Sequence, residues 1–128
     1  MSLEDSVHSI RIDPVHNLIE AKFTGYFTPE VAREAGEAVR AAIVSLGNGA
    51  GQHLSLYDVS EANIAPGETI ELLQRTFADP RVRPLWARRV AYFTPSTLAR
   101  LQLQRLRQSR DDIGVFADRD SALAWLIS

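Results

Sequence analysis

The side chains best suited to chemistry follow two apolar segments in the middle of the chain. These side chains offer one carboxylate, two phenols and three aliphatic hydroxyls, all of which hydrogen-bond to small polar or anionic groups. Asp58 stands out, because a carboxylate that ends a buried strand needs a partner. We predict a ligand-binding site formed by six residues: Tyr57, Asp58, Ser60, Tyr92, Thr94 and Ser96.

The elements that must position these residues follow from hydropathy and from turn signals. Alternating apolar and polar residues predict strands, and apolar residues at helical spacing predict helices. The predicted strands lie at 7–12, 18–24, 53–59, 88–93 and 113–116. The predicted helices lie at 28–46, 66–78 and 95–110, with a last helix that starts at Asp118.

This order predicts a single α/β domain over residues 1–128. Its four- or five-stranded mixed sheet begins with an antiparallel hairpin, and its remaining strands are mainly parallel because about four helices separate them. The carboxyl ends of parallel strands meet at one edge of a sheet, where ligands of open α/β folds bind. The predicted site therefore lies at that edge.

Helix starts offer two interpretations of the hydroxyl groups at this edge. The backbone N–H groups at 66–69 and 95–97 point to the same edge and favour an anion. Alternatively, Thr28, Thr94 and Ser96 only cap helices by accepting hydrogen bonds from free N–H groups.

The helix predicted at 95–110 carries an unusual mixture on its apolar face. Leucines 98, 101, 103 and 106 cover a broad arc that also contains Gln102, Arg105 and Ser109. Polar groups there lie at the rim of the buried face or contact something else. We predict that these three residues form an interface with a second copy, with rim placement or a polar pocket as the alternatives.

Composition excludes several chemistries. The chain has no cysteine, which rules out thiol catalysis, disulfides and Cys-ligated metals. The three histidines, His8, His16 and His53, show no metal-ligand spacing, and no phosphate loop or catalytic motif is present. We therefore expect no metal, no cofactor and no enzymatic activity.

Charge is distributed unevenly along the sequence. Residues 1–74 carry 4 basic and 11 acidic side chains, whereas residues 75–110 carry 9 arginines and one aspartate. The isoelectric point of about 5.9 argues against nucleic-acid binding, so we expect the arginines to neutralise the acidic parts of their own chain. Neither a signal peptide nor a membrane-spanning segment is predicted, which favours the cytoplasm.

Several segments together resemble the SpoIIAA-like proteins of the STAS superfamily. The resemblance rests on Gly25-Tyr-Phe-Thr-Pro-Glu30, on Leu54-Ser-Leu-Tyr-Asp58, on Val90-Ala-Tyr-Phe93 and on residues 115–126. It implies a mixed sheet with helices and a regulatory or binding role. The phosphorylated Ser or Thr of the family's anti-sigma-factor antagonists corresponds to Ala65 or Pro66, neither of which can be phosphorylated.

Two functions from different classes follow. The first is a non-catalytic regulatory or interaction domain of the bacterial cytoplasm that binds a protein partner, with a homodimer expected. The alternative is a domain that binds a small molecule, a lipid or an anion, amphipathic or anionic in character, in a pocket at the carboxyl edge of the strands.

Overall fold

The computed structural model of the 128-residue chain describes residues 8–64, 68–108 and 110–128. It contains one five-stranded sheet with strand order β1-β2-β3-β4-β5. The strands are β1 (His8–Asp13), β2 (Leu18–Phe27), β3 (Leu54–Ile64), β4 (Arg89–Phe93) and β5 (Ile113–Phe116). The α-helices are α1 (Pro29–Ser45), α2 (Glu68–Ala78), α3 (Thr97–Gln104) and α4 (Arg119–Ile127). The predicted fold class is confirmed.

The strands lie side by side in the sheet in the same order in which they occur in the sequence. β1 pairs antiparallel with β2, and all later pairs are parallel. Right-handed connections then place α1, α2 and α3 on the same face of the sheet. α4 packs on the opposite face against β3, β4 and β5, and the two faces have separate apolar cores. Along the parallel strands the order never reverses, so the crevice that a reversal creates in other α/β sheets is absent from the described part.

β2 and β3 extend beyond their predicted ends at residues 24 and 59. The pairing steps from Lys22 opposite Asp58 to Thr24 opposite Glu61, so β3 contains one extra residue, a β-bulge. The Asp58 carboxylate accepts a hydrogen bond of 2.9 Å from the Ser60 N–H within this bulge. The strand end predicted at residue 59 is therefore wrong, since β3 continues through Ile64, and side-chain pattern alone does not reveal a bulge.

The helix starts use the predicted caps. The Thr28 hydroxyl accepts from Val31 N–H, and the Ser96 hydroxyl accepts from Ala99 N–H. The start predicted at 66 lies outside the described residues, and α2 is described from Glu68.

α3 is much shorter than the helix predicted at 95–110. It ends at Gln104 and continues as a 3₁₀ turn over residues 105–108. Leu103 and Leu106 are fully buried, but Leu98 and Leu101 are 67% and 64% exposed, so the predicted arc of buried leucines is wrong in its first half. The tighter turn after Gln104 changes the angular spacing, so that Leu106 faces the core together with Leu103.

The arginines of 75–110 do not pair with the acidic segment 1–74 among the described residues. Their ion pairs are local, from Arg81 to Asp79 and from Arg110 to Asp112. Other members of the group donate to backbone carbonyls, with Arg89 bonded to Trp125 O and Arg100 to Thr94 O. Among the described residues, the ion pairs of this segment therefore neutralise neighbouring aspartates and no acidic residue of 1–74.

Candidate functional site

A large cavity lies between the sheet and the helices α1 and α2. Its volume is about 550 Å³, and most of its wall is apolar. α1 contributes the side chains that also form its buried face, namely Ala32, Ala35, Val39 and Ile43. α2 contributes Leu72 and Leu73, and the connection from α2 to β4 contributes Val82, Leu85 and Trp86. Cavities of this size and character are typical of small-molecule sites.

Aromatic side chains form the floor of the cavity. Phe27 and Phe23 lie in β2, Tyr57 lies in β3, and Tyr92 lies in β4. Successive ring centroids along this row are 5.5, 5.8 and 5.1 Å apart. These separations are those of favourable tilted and edge-to-face aromatic pairs, so the row forms a continuous surface across three strands.

The pleat of the strands explains why these side chains face the cavity. Successive residues of a strand point to opposite faces, so Ser55, Tyr57 and Val59 lie on the same face. The bulge then shifts the alternation by one residue. As a result Ala62 lines the cavity, whereas Glu61 points outward and pairs with Lys22 at 2.7 Å.

The two tyrosines add polar groups to the apolar floor. Burial raises the pKa of the Tyr92 phenol, with a further rise from Tyr57, and burial also raises the pKa of Tyr57 against a smaller lowering by Ser55. Both phenols are therefore neutral hydrogen-bond donors at physiological pH. Tyr92 is 6% exposed, and its hydroxyl makes no hydrogen bond to any described residue.

A buried cation, Arg110, forms part of the cavity wall near the start of β4. The Arg110 guanidinium lies 4.2 Å from the Trp86 ring centroid and donates to Ala87 O at 2.8 Å. Two further hydrogen bonds join it to the Asp112 carboxylate. Its side chain is only 2% exposed, so these contacts stabilise a charge that water barely reaches.

His53 lies near this cation and is fully buried. Its Nδ1 accepts a hydrogen bond of 3.2 Å from Gly51 N–H, which leaves the ring proton on Nε2. The Nε2 atom has no hydrogen-bond partner among the described residues. Burial lowers the pKa of His53, and the charge of Arg110 lowers it further, so the imidazole is neutral.

Charged side chains surround the opening of the cavity. On α1 the opening is lined by Arg33, Gly36, Glu37 and Arg40, which share one face of the helix at spacings of three and four residues. On the opposite side lie Asp79 and Arg81, joined by hydrogen bonds of 2.8 to 3.2 Å. These bonds lower the pKa of Asp79 to about 2.

The six predicted site residues fall into two groups. Tyr57 and Tyr92 line the cavity, but Asp58, Ser60, Thr94 and Ser96 do not. Asp58 accepts from Ser60 N–H inside the bulge, and the Thr94 hydroxyl accepts from Ser96 N–H at 3.2 Å. The side chains of Asp58, Thr94 and Ser96 therefore accept hydrogen bonds from nearby backbone N–H groups, whereas Ser60 takes part through its own N–H. Whether the four residues also bind a ligand at the strand edge stays a prediction.

The predicted interface residues of α3 and the turn after it do not line the cavity where the structure describes them. Gln102 is half-buried, Arg105 is exposed, and Ser109 lies outside the described residues. The Arg105 carbonyl accepts a hydrogen bond of 2.8 Å from the Gln74 side chain, which joins α2 to the end of α3.

Sequence reasoning missed most of the cavity wall. It did not identify Phe23, Phe27, Trp86 or Arg110 as site residues. The two phenylalanines were detectable, because they belong to the alternating face of a strand next to Tyr57. No sequence signal indicated that the α1 and sheet surfaces leave a space between them. Among the described residues, no three His, Asp or Glu side chains form a group suited to a metal ion.

Comparison with known proteins identifies the fold. An uncharacterised protein of the DUF3478 family from Shewanella loihica, solved as a crystal structure with a SpoIIAA-like fold, superimposes with a TM-score of 0.67. The alignment covers 98% of each chain at 18% sequence identity. The chain therefore has a SpoIIAA-like fold. No protein-family model and no curated protein matches the sequence. No helix in the described ranges is long and apolar enough to span a membrane.

Proposed function

We propose that this protein binds a small, largely apolar molecule in the cavity between the sheet and helices α1 and α2. The observation that carries this proposal is the cavity itself, about 550 Å³ in volume and lined mainly by aliphatic and aromatic side chains. The sequence leaves open a protein-interaction domain and a ligand-binding domain, and this proposal corresponds to the second. The position differs from the predicted strand edge, since the floor of the cavity is the face of the sheet.

The free-energy penalty of exposed apolar surface and unfilled volume supports a binding role. Protein interiors are packed to crystal-like density, and unfilled apolar volume destabilises a fold. The apolar wall of a cavity that opens to water is unfavourable in the same way, and a bound apolar ligand would cover it. The neutral Tyr92 hydroxyl and the Tyr57 hydroxyl offer the few polar contacts that orient an apolar ligand in such sites. The described residues that line the cavity include no set suited to bond-making chemistry, so we propose binding without catalysis.

A neutral fluorescent dye such as Nile red tests this proposal. Ala35 is 5% exposed and lines the cavity, so Ala35→Phe fills part of the space. We expect wild-type protein to bind the dye with enhanced fluorescence and Ala35→Phe to bind it at least about tenfold more weakly. The matched control is Ala41→Phe, since Ala41 lies on the exposed side of the same helix.

The dye affinities can be compared only between variants that fold, and urea unfolding shows whether each variant does. If Ala35→Phe does not fold, Ala62→Leu fills the cavity from the strand side instead. The proposal fails if wild-type protein does not bind the dye, or if the folded cavity-filling variant binds it as tightly as wild type does.

A second candidate function is protein–protein association through α3. It is favoured by Leu98 and Leu101, which are 67% and 64% exposed on successive turns, with Arg105 at the end of the helix. We propose either a homodimer or a complex with a protein partner on this surface. Light scattering tests the homodimer: Leu101→Glu and Arg105→Glu are expected to lower the measured mass. A wild-type mass equal to that of one chain, or a mass unchanged in both variants, counts against self-association.

A further inference from the structure

Gly36 occupies an unusual position for a glycine. It lies in the middle of α1 and lines the opening of the cavity, and a Cβ atom built on it meets nothing within 4 Å. A glycine inside a helix costs stability relative to alanine, and here no neighbouring atom requires one. What the missing side chain provides is space at the opening of the cavity.

Two arginines flank this gap on the same face of α1. Arg33 and Arg40 line the opening, three residues before and four residues after Gly36. Both are exposed, and neither makes an ion pair within the described ranges. Guanidinium groups at this place can bind an anion by charge-assisted hydrogen bonds.

The other charges at the opening leave these arginines available. Asp79 is already bound to Arg81 on the opposite wall. Glu37 is the remaining acidic residue of the opening and lies between the two arginines along α1. The three arginines of the opening thus outnumber its two carboxylates, which gives the opening a positive charge above an apolar interior.

We propose that the ligand is an anionic amphiphile, with its apolar part on the aromatic floor and its carboxylate or phosphate at the opening between Arg33 and Arg40. Gly36 leaves the passage through which the chain of the ligand enters. This inference rests on the proposed binding function and adds to it the chemical class of the ligand, the orientation of the ligand and the route of access.

Paired ligands that differ only in charge test the orientation. Displacement of Nile red is measured with decanoate and with 1-decanol, which share an alkyl chain. A hydrogen bond to a charged group contributes more than one between neutral groups, so we expect decanoate to bind about tenfold more tightly than decanol. We expect the double variant Arg33→Gln/Arg40→Gln to abolish this preference by weakening decanoate binding and leaving decanol binding unchanged.

The matched control is Arg75→Gln/Arg88→Gln. It removes the same charge from two exposed arginines that do not line the cavity. This control is expected to keep the preference for decanoate. The assignment of the anionic group is overturned if wild type shows no preference, if the Arg33/Arg40 variant keeps it, or if neither ligand displaces the dye. Failure of the dye itself to bind overturns the proposed function instead.

Substitution of Gly36 tests the route of access. Gly36→Leu is expected to weaken the binding of dye and decanoate at least about tenfold, because its side chain fills the opening. Gly36→Ala adds one methyl group and is expected to bind both within about twofold of wild type. Dye and decanoate affinities of Gly36→Leu equal to those of wild type would overturn the position of the opening.

Discussion

Tyr57 and Tyr92 are register partners on the neighbouring parallel strands β3 and β4, with ring centroids 5.1 Å apart. This pair places two neutral phenols at one end of the aromatic row that forms the floor of the cavity. Phe23 and Phe27 continue the row on β2, so the floor is polar toward β4 and apolar toward β2. A ligand on the floor of the cavity therefore meets two phenol hydroxyls at one side and two phenyl rings at the other.

The Tyr92 hydroxyl yields the first prediction. Because it makes no hydrogen bond to a described residue, Tyr92→Phe is expected to leave the free energy of unfolding unchanged or to raise it by up to about 1 kcal/mol. The control is Thr69→Val, which removes another buried hydroxyl of the cavity wall that donates to Phe27 O at 2.9 Å. That variant should lose about 1–2 kcal/mol. Urea unfolding measures the free energy of unfolding of both variants. A loss above about 1 kcal/mol in Tyr92→Phe would show that the Tyr92 hydroxyl does make a stabilising hydrogen bond.

The second prediction compares two ion pairs with the same sequence separation. Arg110 and Asp112 form a pair whose arginine side chain is 2% exposed, whereas the arginine of the Asp79–Arg81 pair is 88% exposed. Asp112→Asn leaves a buried guanidinium without its counter-charge and is expected to lower the free energy of unfolding by about 2–3 kcal/mol. Asp79→Asn should lower it far less, because water screens an exposed pair. Equal losses in the two variants would show that the burial of Arg110 does not matter.

His53 makes stability depend on pH. Burial and Arg110 lower its pKa below 6.5, so in acid the unfolded chain binds a proton that the folded protein excludes. The stabilisation is complete above about pH 6.5 and falls as the pH decreases below that value, by up to about 1.4 kcal/mol per pH unit. We expect the unfolding free energy of wild type to decrease from pH 7 to pH 5, and His53→Asn to show a smaller decrease. Identical slopes would contradict this role of His53.

Two glycines should respond oppositely to the same substitution. A Cβ at Gly36 meets open space, so Gly36→Ala is expected to raise the free energy of unfolding by about 0.5–1 kcal/mol through helix propensity. A Cβ at Gly114 would lie 2.6 Å from the Phe116 ring and 3.0 Å from the Trp125 ring. Gly114→Ala should therefore lower the stability, since both rings must move. Calorimetric melting of the two variants measures the sign of each change, and a destabilised Gly36→Ala would contradict the open space around Gly36.

Much of the fold was determined by local patterns. The alternation around Leu18 and Leu54, the Thr28-Pro29 helix start and the Ser96 and Asp118 caps act within a few residues, and each element formed where its pattern lies. The bulge after Asp58 and the early end of α3 were not predictable in the same way. They depend on how β3 pairs with β2 and on how the end of α3 packs against the core, and neither partner is adjacent in sequence.

The site depends on the tertiary structure still more strongly. The sequence identified Tyr57 and Tyr92 by their residue type and by their place in two apolar strands. Only the tertiary structure shows that the two rings are neighbours, that Arg110 belongs to the cavity wall, and that Arg33 and Arg40 line the opening of the cavity. The physical reason is that hydropathy tells which face of a helix or strand is buried. It does not tell whether two buried faces meet tightly or leave a cavity between them, because that depends on the distance between whole elements.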